Sequence, residues 1–413
     1  MKAEIITIGD ELLIGQTIDT NSAWIGAELS RIGFEVTQIT SISDKKDQII
    51  KTLKGKVGNS DVVLITGGLG PTSDDITKQT LCEFFETRLV FNKEVFKGLE
   101  KMMLRWNFPM NENNRRQAEV PESCKVLTNA KGTAPGMWFE RGDTIFISMP
   151  GVPNEMQYIM TEHVIPELEK RFTRQQIIHR NIMTYGTSEA RLAEILTDFE
   201  AGIPANIKLA YLPSSGVTKL RLTGIGEKNT NLSDAIENQV RRLYKIIPEY
   251  IYGENEESLE MVIGKLLINK GQSVCFAESC TGGEISHLIT SVPGSSKYFK
   301  GSVIAYDNTV KTQLLGVPEE IIAKYGAVSR ETVEMMAVGA RKKFITDFAV
   351  ATSGIAGPDG GSPEKPVGTI WIGISMRDKT SAEKYTFGND RVINIRRFSF
   401  AALNLLRKQI IGQ

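Results

Sequence analysis

Ser279 lies in the run Ala277-Glu278-Ser279-Cys280-Thr281-Gly282-Gly283, which places a hydroxyl, a thiol and two glycines next to one another. The apolar Ser273-Val274-Cys275-Phe276, bounded by Gly271, precedes it, and Glu284-Ile285-Ser286-His287-Leu288-Ile289 follows with a helical pattern. The reading is strand, tight turn, helix. Such a turn leaves backbone N–H groups without partners at a helix N-terminus, where the macrodipole favours negative charge. A hydroxyl there sits beside a seat for a phosphate or an oxyanion. The plain alternative is that Ser279 and Thr281 cap the helix. Cys280, its thiol pKa lowered at a helix start, is a competing nucleophile.

A second pointed motif is Thr66-Gly67-Gly68-Leu69-Gly70-Pro71-Thr72-Ser73-Asp74-Asp75, at the end of the apolar run Val62-Val63-Leu64-Ile65 and before a helical Ile76 to Phe85. Glycines let backbone approach a phosphate closely, and the helix start adds N–H groups. The adjacent aspartates would repel a bare phosphate, so a divalent metal should bridge the two if both functions hold. Otherwise Asp74 or Asp75 caps the helix. Asp10, Glu11, Asp19, Thr20 and Asn21 follow the first strand pattern and would project from the same carboxyl edge. Asn113–Gln117, Lys131–Gly136 and Met149–Glu155 are polar, turn-rich stretches that are either binding loops or surface punctuation.

The elements that must position these groups fit a chain of 413 residues holding two or three compact units. The apolar share of 41% and charged share of 24% suit a soluble globular protein. No stretch approaches the ~20 apolar residues needed to span a bilayer, and the start lacks a signal-peptide core, so a cytoplasmic location and no membrane partner are expected. Cys82, Cys124, Cys275 and Cys280 are too scattered for a zinc knuckle and read as reduced. Lys plus Arg and Asp plus Glu both number 49, so no charge excess draws the chain to nucleic acid. His163, His179 and His287 are few for a Ser-His-Asp hydrolase.

Residues 1 to 170 alternate strand and helix patterns, the signature of a parallel sheet: a strand at Ile5–Ile8, a helix through Trp24 and Leu29 stopped by Gly33, a strand at Phe34–Ile39 and a helix capped at Asp44. Residues 171 to 252 form a smaller unit, with a strand at Ile182–Tyr185, a helix over Glu189–Phe199, a hairpin turning at Pro213-Ser214-Ser215-Gly216 and a helix over Leu232–Ile247. From 253 to 413 come strands at Gly301–Tyr306, Ile345–Ser353 and Gly368–Ser375, the loop Gly354-Ile355-Ala356-Gly357-Pro358-Asp359-Gly360-Gly361, and a last helix with Arg391 at its start.

Gly-Gly-Leu-Gly-Pro-Thr-x-Asp-Asp, with Gly-Asp-Glu-Leu upstream and Gly-Thr-Ala-Pro-Gly downstream, resembles the molybdopterin-binding-fold domain of the CinA (competence/damage-inducible protein A) family. The resemblance implies a three-layer α/β domain with a metal-dependent ADP-ribose pyrophosphatase activity. It places Glu11, Asp74 and Asp75 at a divalent ion (Mg, Mn or Co, with potassium as a companion), and Gly67, Gly68, Gly70 and Thr72 on phosphate. The middle unit corresponds to the family's KH-like insert, yet it lacks the Gly-x-x-Gly loop that clamps RNA and reads as an architectural or dimer-forming module.

Glu-Ser-x-Thr-Gly-Gly, a Tyr-x-Asn-x-x-Lys segment and Gly-Ile-Ala-Gly-Pro-x-Gly-Gly-x-Pro-x-Lys-Pro-Val-Gly-Thr resemble the family's carboxy-terminal domain, a nicotinamide mononucleotide deamidase. Ser353 stands where the family commonly has Thr, which keeps the hydroxyl. The fold expected is two three-layer α/β domains with mainly parallel sheets joined by a small α+β KH-like domain. The resemblance implies release of ammonia from a pyridine carboxamide, without a cofactor, by Ser279 as nucleophile, Lys311 as base and Tyr306 as orienting or relaying group. The lysine pKa would be lowered by burial and a neighbouring cation. Thr281, Gly282, Gly283, Ser353, Gly354 and Gly357 would bind substrate, with Arg391 on its 5′-phosphate. Nicotinamide mononucleotide and ADP-ribose are then the small-molecule partners, and a homodimer the expected assembly. Two other readings stand beside this one: a front domain that carries a molybdopterin-like nucleotide without cleaving it, and an interaction protein for DNA uptake.

Overall fold

The computed structural model describes residues 1–72, 75–172, 175–214, 216–227 and 231–412. Ser73 and Asp74 of the glycine–aspartate motif and Ser215 of the hairpin turn lie outside the described residues. The chain divides into two units, Met1–Ile178 with Gly224–Ser233, and His179–Thr223 with Asp234–Gln413.

The first unit is built on six strands in the order β2-β1-β3-β8-β7-β6. These are β1 (Lys2–Ile8), β2 (Glu35–Ile42), β3 (Val62–Thr66), β6 (Lys125–Leu127), β7 (Gly136–Arg141) and β8 (Thr144–Met149), with β4 (Leu89–Phe91) and β5 (Glu119–Pro121) forming a separate antiparallel pair. The β2-β1-β3-β8 part is parallel and β7 and β6 close the edge antiparallel. Alternate residues of one strand enter different cores: Ile5, Val62 and Leu64 pack on one face, Ile6, Val63 and Ile65 on the other. Helices on both faces explain why β1 and β3 read as unbroken apolar runs rather than alternating ones. Pairing of Thr7 with Thr66 and of Thr66 with Met149 brings the ends of β1, β3 and β8 to one level. The segments beginning at Gly9, Gly67 and Pro150 therefore leave the sheet together.

β9 (Gln175–Tyr185), β10 (Ile207–Ser214), β11 (Val217–Glu227) and β12 (Ile251–Glu254) form the small sheet β10-β11-β9-β12, which the second unit holds except for the start of β9 and the end of β11. The helix expected over Glu189–Phe199 is two helices, Glu189–Ile195 and Thr197–Ala201. Thr197 Oγ1 bonds back to the carbonyls of Ala193 and Glu194 at 3.2 and 2.9 Å, a competition with the helical ladder that bends helices.

The last sheet has the order β14-β13-β15-β16-β17, from β13 (Val274–Glu278), β14 (Phe299–Ile304), β15 (Phe348–Gly354), β16 (Thr369–Ser375) and β17 (Thr380–Thr386). β14, β13 and β15 are parallel; β16 and β17 are antiparallel. Val274, Phe276 and Val350 face one core and Cys275, Ala277, Ala349 and Ala351 the other, again three layers. Glu278 pairs with both Ile304 and Thr352, so Ser279 and Ala305 leave the sheet beside Ser353, which still pairs with Trp371 of β16. On the alanine-rich face, Gly339 lets the helix Arg330–Phe344 touch the helix Asn308–Leu315: a Cβ there would fall 1.8 Å from the Leu315 carbonyl oxygen.

Candidate active sites

The turn after β13 holds Ser279 at 8% exposure, its amide donating to the Thr352 carbonyl at 3.0 Å. Gly282 and Gly283 follow with φ of 61° and 101°, left-handed positions that favour glycine. The helix Glu284–Thr290 begins there, but its N-terminus is not the open anion seat expected from the sequence. Glu278, fully buried, accepts from the amides of Gly283 (3.0 Å), Ile285 (3.1 Å) and Ser286 (2.9 Å) and from Ser286 Oγ (2.6 Å). An internal carboxylate has taken the position that the helix dipole favours for a ligand. The amides of Cys280 and Thr281 stand outside this arrangement. Neither Ser279 nor Thr281 caps the helix: Thr281 Oγ1 pairs with Thr352 Oγ1 at 2.8 Å. Burial pushes the Cys280 thiol up to about 12, opposite to the shift a reactive thiolate requires.

Lys311 comes from the helix Asn308–Leu315, which Asp307 caps through the Thr309 amide (2.8 Å) and hydroxyl (2.6 Å). It is 1% exposed, and Nζ donates to the Tyr306 carbonyl at 3.0 Å. Burial lowers its pKa. The expected neighbouring cation is not the cause; Asp307 and Cys280 act on Lys311 in the opposite sense. Tyr306 meets Lys311 through its backbone, while its side chain is 61% exposed and its hydroxyl accepts from Arg391 Nη2 at 3.0 Å. Arg391 Nη1 donates to the Gly357 carbonyl at 2.8 Å. Gly357 has φ 94°, and a Cβ there would lie 2.6 Å from Val367. Ser353 is buried and its hydroxyl donates to the Ala327 carbonyl at 2.7 Å; a Cβ on Gly354 would lie 2.6 Å from the Thr369 carbonyl oxygen. Hydrogen bonds thus link Lys311, Tyr306, Arg391 and Gly357, while Ser279 leaves β13 at the same sheet edge and Ser353 turns to the Ala327 backbone.

In the first unit, a cavity of about 420 Å³ opens at the carboxyl edge, lined by Glu11, Asn21, Asp44, Gly67, Gly68, Gly70, Asp75 and Glu155 among others. Asp75 does not cap the helix Thr77–Phe84, whose N-cap is Ile76. Its Oδ2 accepts from the Thr72 amide (3.1 Å) and hydroxyl (2.5 Å), and the missing side chain of Gly70 makes room, since a Cβ would fall 2.4 Å from that oxygen. Asp44 is likewise not a cap; the helix Lys46–Lys54 starts from Lys45, and Asp44 Oδ2 accepts the Asp10 amide at 3.2 Å. Burial, followed by the charges of Glu11, Asp10 and Asp75, raises the Asp44 carboxyl above its ordinary value. Asn21 Nδ2 donates to Gly151 (2.7 Å) and Thr66 (3.1 Å), leaving its buried Oδ1 without a partner. Among the described residues no three His, Cys, Asp or Glu side chains converge as a metal ligand set.

Models described as the probable molybdopterin binding domain, the damage-inducible protein CinA KH domain and the CinA C-terminal domain match residues 4–170, 179–253 and 256–410. A CinA-like protein of Cytophaga hutchinsonii is 49% identical over 408 residues, covering 99% of this chain and 98% of the relative. The chain belongs to the CinA family. A CinA-like protein of Flavobacterium psychrophilum is 46% identical, covering 100% of this chain and 99% of that one. The crystal structure of competence/damage inducible protein CihA from Agrobacterium tumefaciens is 35% identical over 37% of this chain and 96% of that one, with a TM-score of 0.35.

In this CinA family chain, Glu278, Asp44 and Glu155 take places at the two edges that their sequence positions alone do not assign them. Glu278 carried a signal, an acid immediately before a glycine turn that opens a helix. Asp44 was hidden by its resemblance to a cap, although it follows the strand paired with β1. Glu155 lies in a stretch read as loop; burial raises its pKa, Asn129 Nδ2 donates to it at 2.6 Å, and a Cβ on Gly132 would fall 2.0 Å from its carboxyl carbon. Of the stretches left open, Lys131–Gly136 and Met149–Glu155 reach the cavity through Thr133, Ala134 and Pro150–Pro153, whereas Asn113–Gln117 sits on the helix Glu112–Arg116 and its end, outside the cavity lining.

Proposed function

We propose that the last domain hydrolyses the carboxamide of nicotinamide mononucleotide to nicotinate mononucleotide and ammonia. The observation that carries this reading is Lys311: a buried amine of lowered pKa, held by a neutral carbonyl rather than a carboxylate, at the edge where Ser279 leaves β13. Neutral Lys311 takes the Ser279 proton as Oγ bonds to the amide carbon. The oxyanion is held by the Cys280 and Thr281 amides that Glu278 leaves free. The C–N bond then breaks, the nitrogen taking its proton from the Lys311 ammonium, and a water deprotonated by Lys311 cleaves the ester and restores Ser279. Thr281, Gly282, Gly283, Ser353, Gly354 and Gly357 shape the bed of the substrate. Arg391, already bracing Tyr306 and Gly357, turns its remaining N–H groups to the 5′-phosphate.

The N-terminal domain, in the same reading, hydrolyses ADP-ribose at its pyrophosphate. Gly67, Gly68, Gly70 and Thr72 approach the phosphates, and Glu11 and Asp75, with Asp74, hold a divalent ion (Mg, Mn or Co, with potassium as companion). Burial is the first cause of the raised Asp44 carboxyl, and the charges of Glu11, Asp10 and Asp75 that add to it are a negative field that suits a cation. Bound there, the ion supplies an activated water and charge neutralisation. A non-hydrolytic nucleotide-binding module is the second reading, favoured by the absence of a converged ligand set among the described residues. No helix among the described residues is long and apolar enough to cross a membrane. A cytoplasmic homodimer acting on small nucleotides rather than nucleic acid completes the proposal.

The test follows ammonia from nicotinamide mononucleotide in wild type, Ser279→Ala and Lys311→Met, and AMP from ADP-ribose with and without added Mg, Mn or Co. Release of ammonia by wild type and its loss in both variants is the expected result. Full activity in Ser279→Ala removes Ser279 from the role of nucleophile. Tight ADP-ribose binding without AMP in every metal selects the non-hydrolytic module.

A further inference from the structure

The small β9–β12 sheet and the last domain share an apolar core in which Tyr252, Leu259 and Phe398 are buried and Met183, Tyr185, Val217 and Phe400 pack against them. Arg407 Nη1 ties the joint by donating to the Ile251 carbonyl at 3.0 Å. At this joint lies a cavity of about 480 Å³ that shares no lining residue with either site above. Its volume falls in the range of about 300–1,000 Å³ usual for small-molecule sites.

Two of its polar groups lack partners. Ser258 precedes the helix Leu259–Lys270, where a serine ordinarily caps, yet its Oγ caps nothing, has no hydrogen bond and is closed to solvent, so it reaches a ligand by turning about χ1. The acids of the wall are engaged: Glu257 with Lys265 and the Glu254 amide, Glu256 with Lys219 at 3.6 Å and Asn181 at 3.2 Å. Arg396, an exposed side chain, is the remaining charge of the lining, with no carboxylate within ion-pair distance among the described residues. Tyr252, Leu212 and Phe400 supply apolar and aromatic wall.

We propose that this cavity binds a small aromatic monocarboxylate, its ring against the aromatic wall and its carboxylate on Arg396 and Ser258 Oγ. One uncompensated cation matches one negative charge. A phosphomonoester dianion would bring a second charge against Glu256 and Glu257, and a neutral aromatic would leave Arg396 and Ser258 unanswered.

Benzoate and its neutral isostere benzamide are titrated calorimetrically into the full chain. Saturable benzoate binding is expected, weakened about tenfold in Arg396→Met, the effect of losing one charge-assisted pair at a partly open site. Ser258→Ala should weaken it severalfold, and benzamide should bind at least about tenfold more weakly than benzoate. Arg391→Met, which alters another arginine of the same helix, one outside the cavity lining, leaves benzoate binding unchanged. Arg396→Lys, which keeps the charge and loses the planar fork, falls between wild type and Arg396→Met. The proposal is overturned if benzoate does not saturate, if both Arg396 variants bind it like wild type, if benzamide binds equally well, or if Arg391→Met is the variant that loses it.

Discussion

The two carboxyl edges of this chain are built alike and carry opposite kinds of ionisable group. Each ends parallel strands in a glycine turn that opens a helix. At the edge of β1, β3 and β8 the turn faces a cavity crowded with carboxylates, whose mutual repulsion contributes to raising Asp44. At the edge of β13, β14 and β15 the carboxylates Glu278 and Asp307 are both consumed as caps of helix starts, and an amine is buried instead. One edge gathers carboxylates; the other buries an amine. Strand order cannot distinguish them; the charge placed one or two residues from the turn does.

The largest effect that separates the edges is expected at Lys311. Replacing it with methionine keeps the buried stem and removes the proton acceptor, so ammonia release should fall by about 10²–10⁴-fold, the usual worth of general base catalysis. ADP-ribose turnover should be untouched. Equal loss at both edges would mean that the variant unfolds the chain rather than silencing one site.

Glu278 comes next. In Glu278→Ala three amides and a hydroxyl lose their acceptor, at about 1 kcal/mol net each, so unfolding stability should drop by roughly 3–4 kcal/mol. For a domain of this size that is a melting shift on the order of 10 °C. Glu278→Gln keeps one acceptor oxygen and should lose about half as much. A melting temperature unchanged in both would show that the helix start is satisfied in another way.

How far each edge could be read from sequence follows the same contrast. Strand ends and glycine turns were legible because apolar runs and Gly clusters are local signals, and Lys311, Arg391 and Asp75 fall where those signals put them. The occupancy of the helix start was not, because an unpaired amide is inferred from the helix pattern alone, while its acceptor Glu278 lies on the far side of the turn. Asp44 was misread for a related reason: an acid before a helix looks like a cap, and only the pairing of β1 with β2 turns it toward Asp10. The antiparallel β16 and β17 likewise depend on register, which periodicity does not carry.

The pH dependence of the two edges should run in opposite directions. Lys311 has a folded pKa below its unfolded one, so the unfolded chain binds the extra proton between those values. Stability from this site therefore rises as pH climbs through that window toward about 10.5, and ammonia release rises as Lys311 loses its proton. Lys311→Met should flatten the stability difference. A rate that falls over the same range would contradict a lysine base.

Asp44 gives the smallest and the reverse effect. Its folded pKa is raised above 3.8, so the folded chain holds the proton more tightly; its contribution is favourable at low pH and fades as pH rises through the raised value. At neutral pH Asp44→Asn should therefore raise the melting temperature, by about 1–2 °C once solvent screening is allowed for. The amide oxygen can still accept from Asp10, so the change isolates charge from hydrogen bonding. Added Mg should stabilise wild type more than Asp44→Asn, because the ion relieves a repulsion the variant has already lost. If Mg moves both equally, Asp44 takes no part in the field that the proposed ion would relieve.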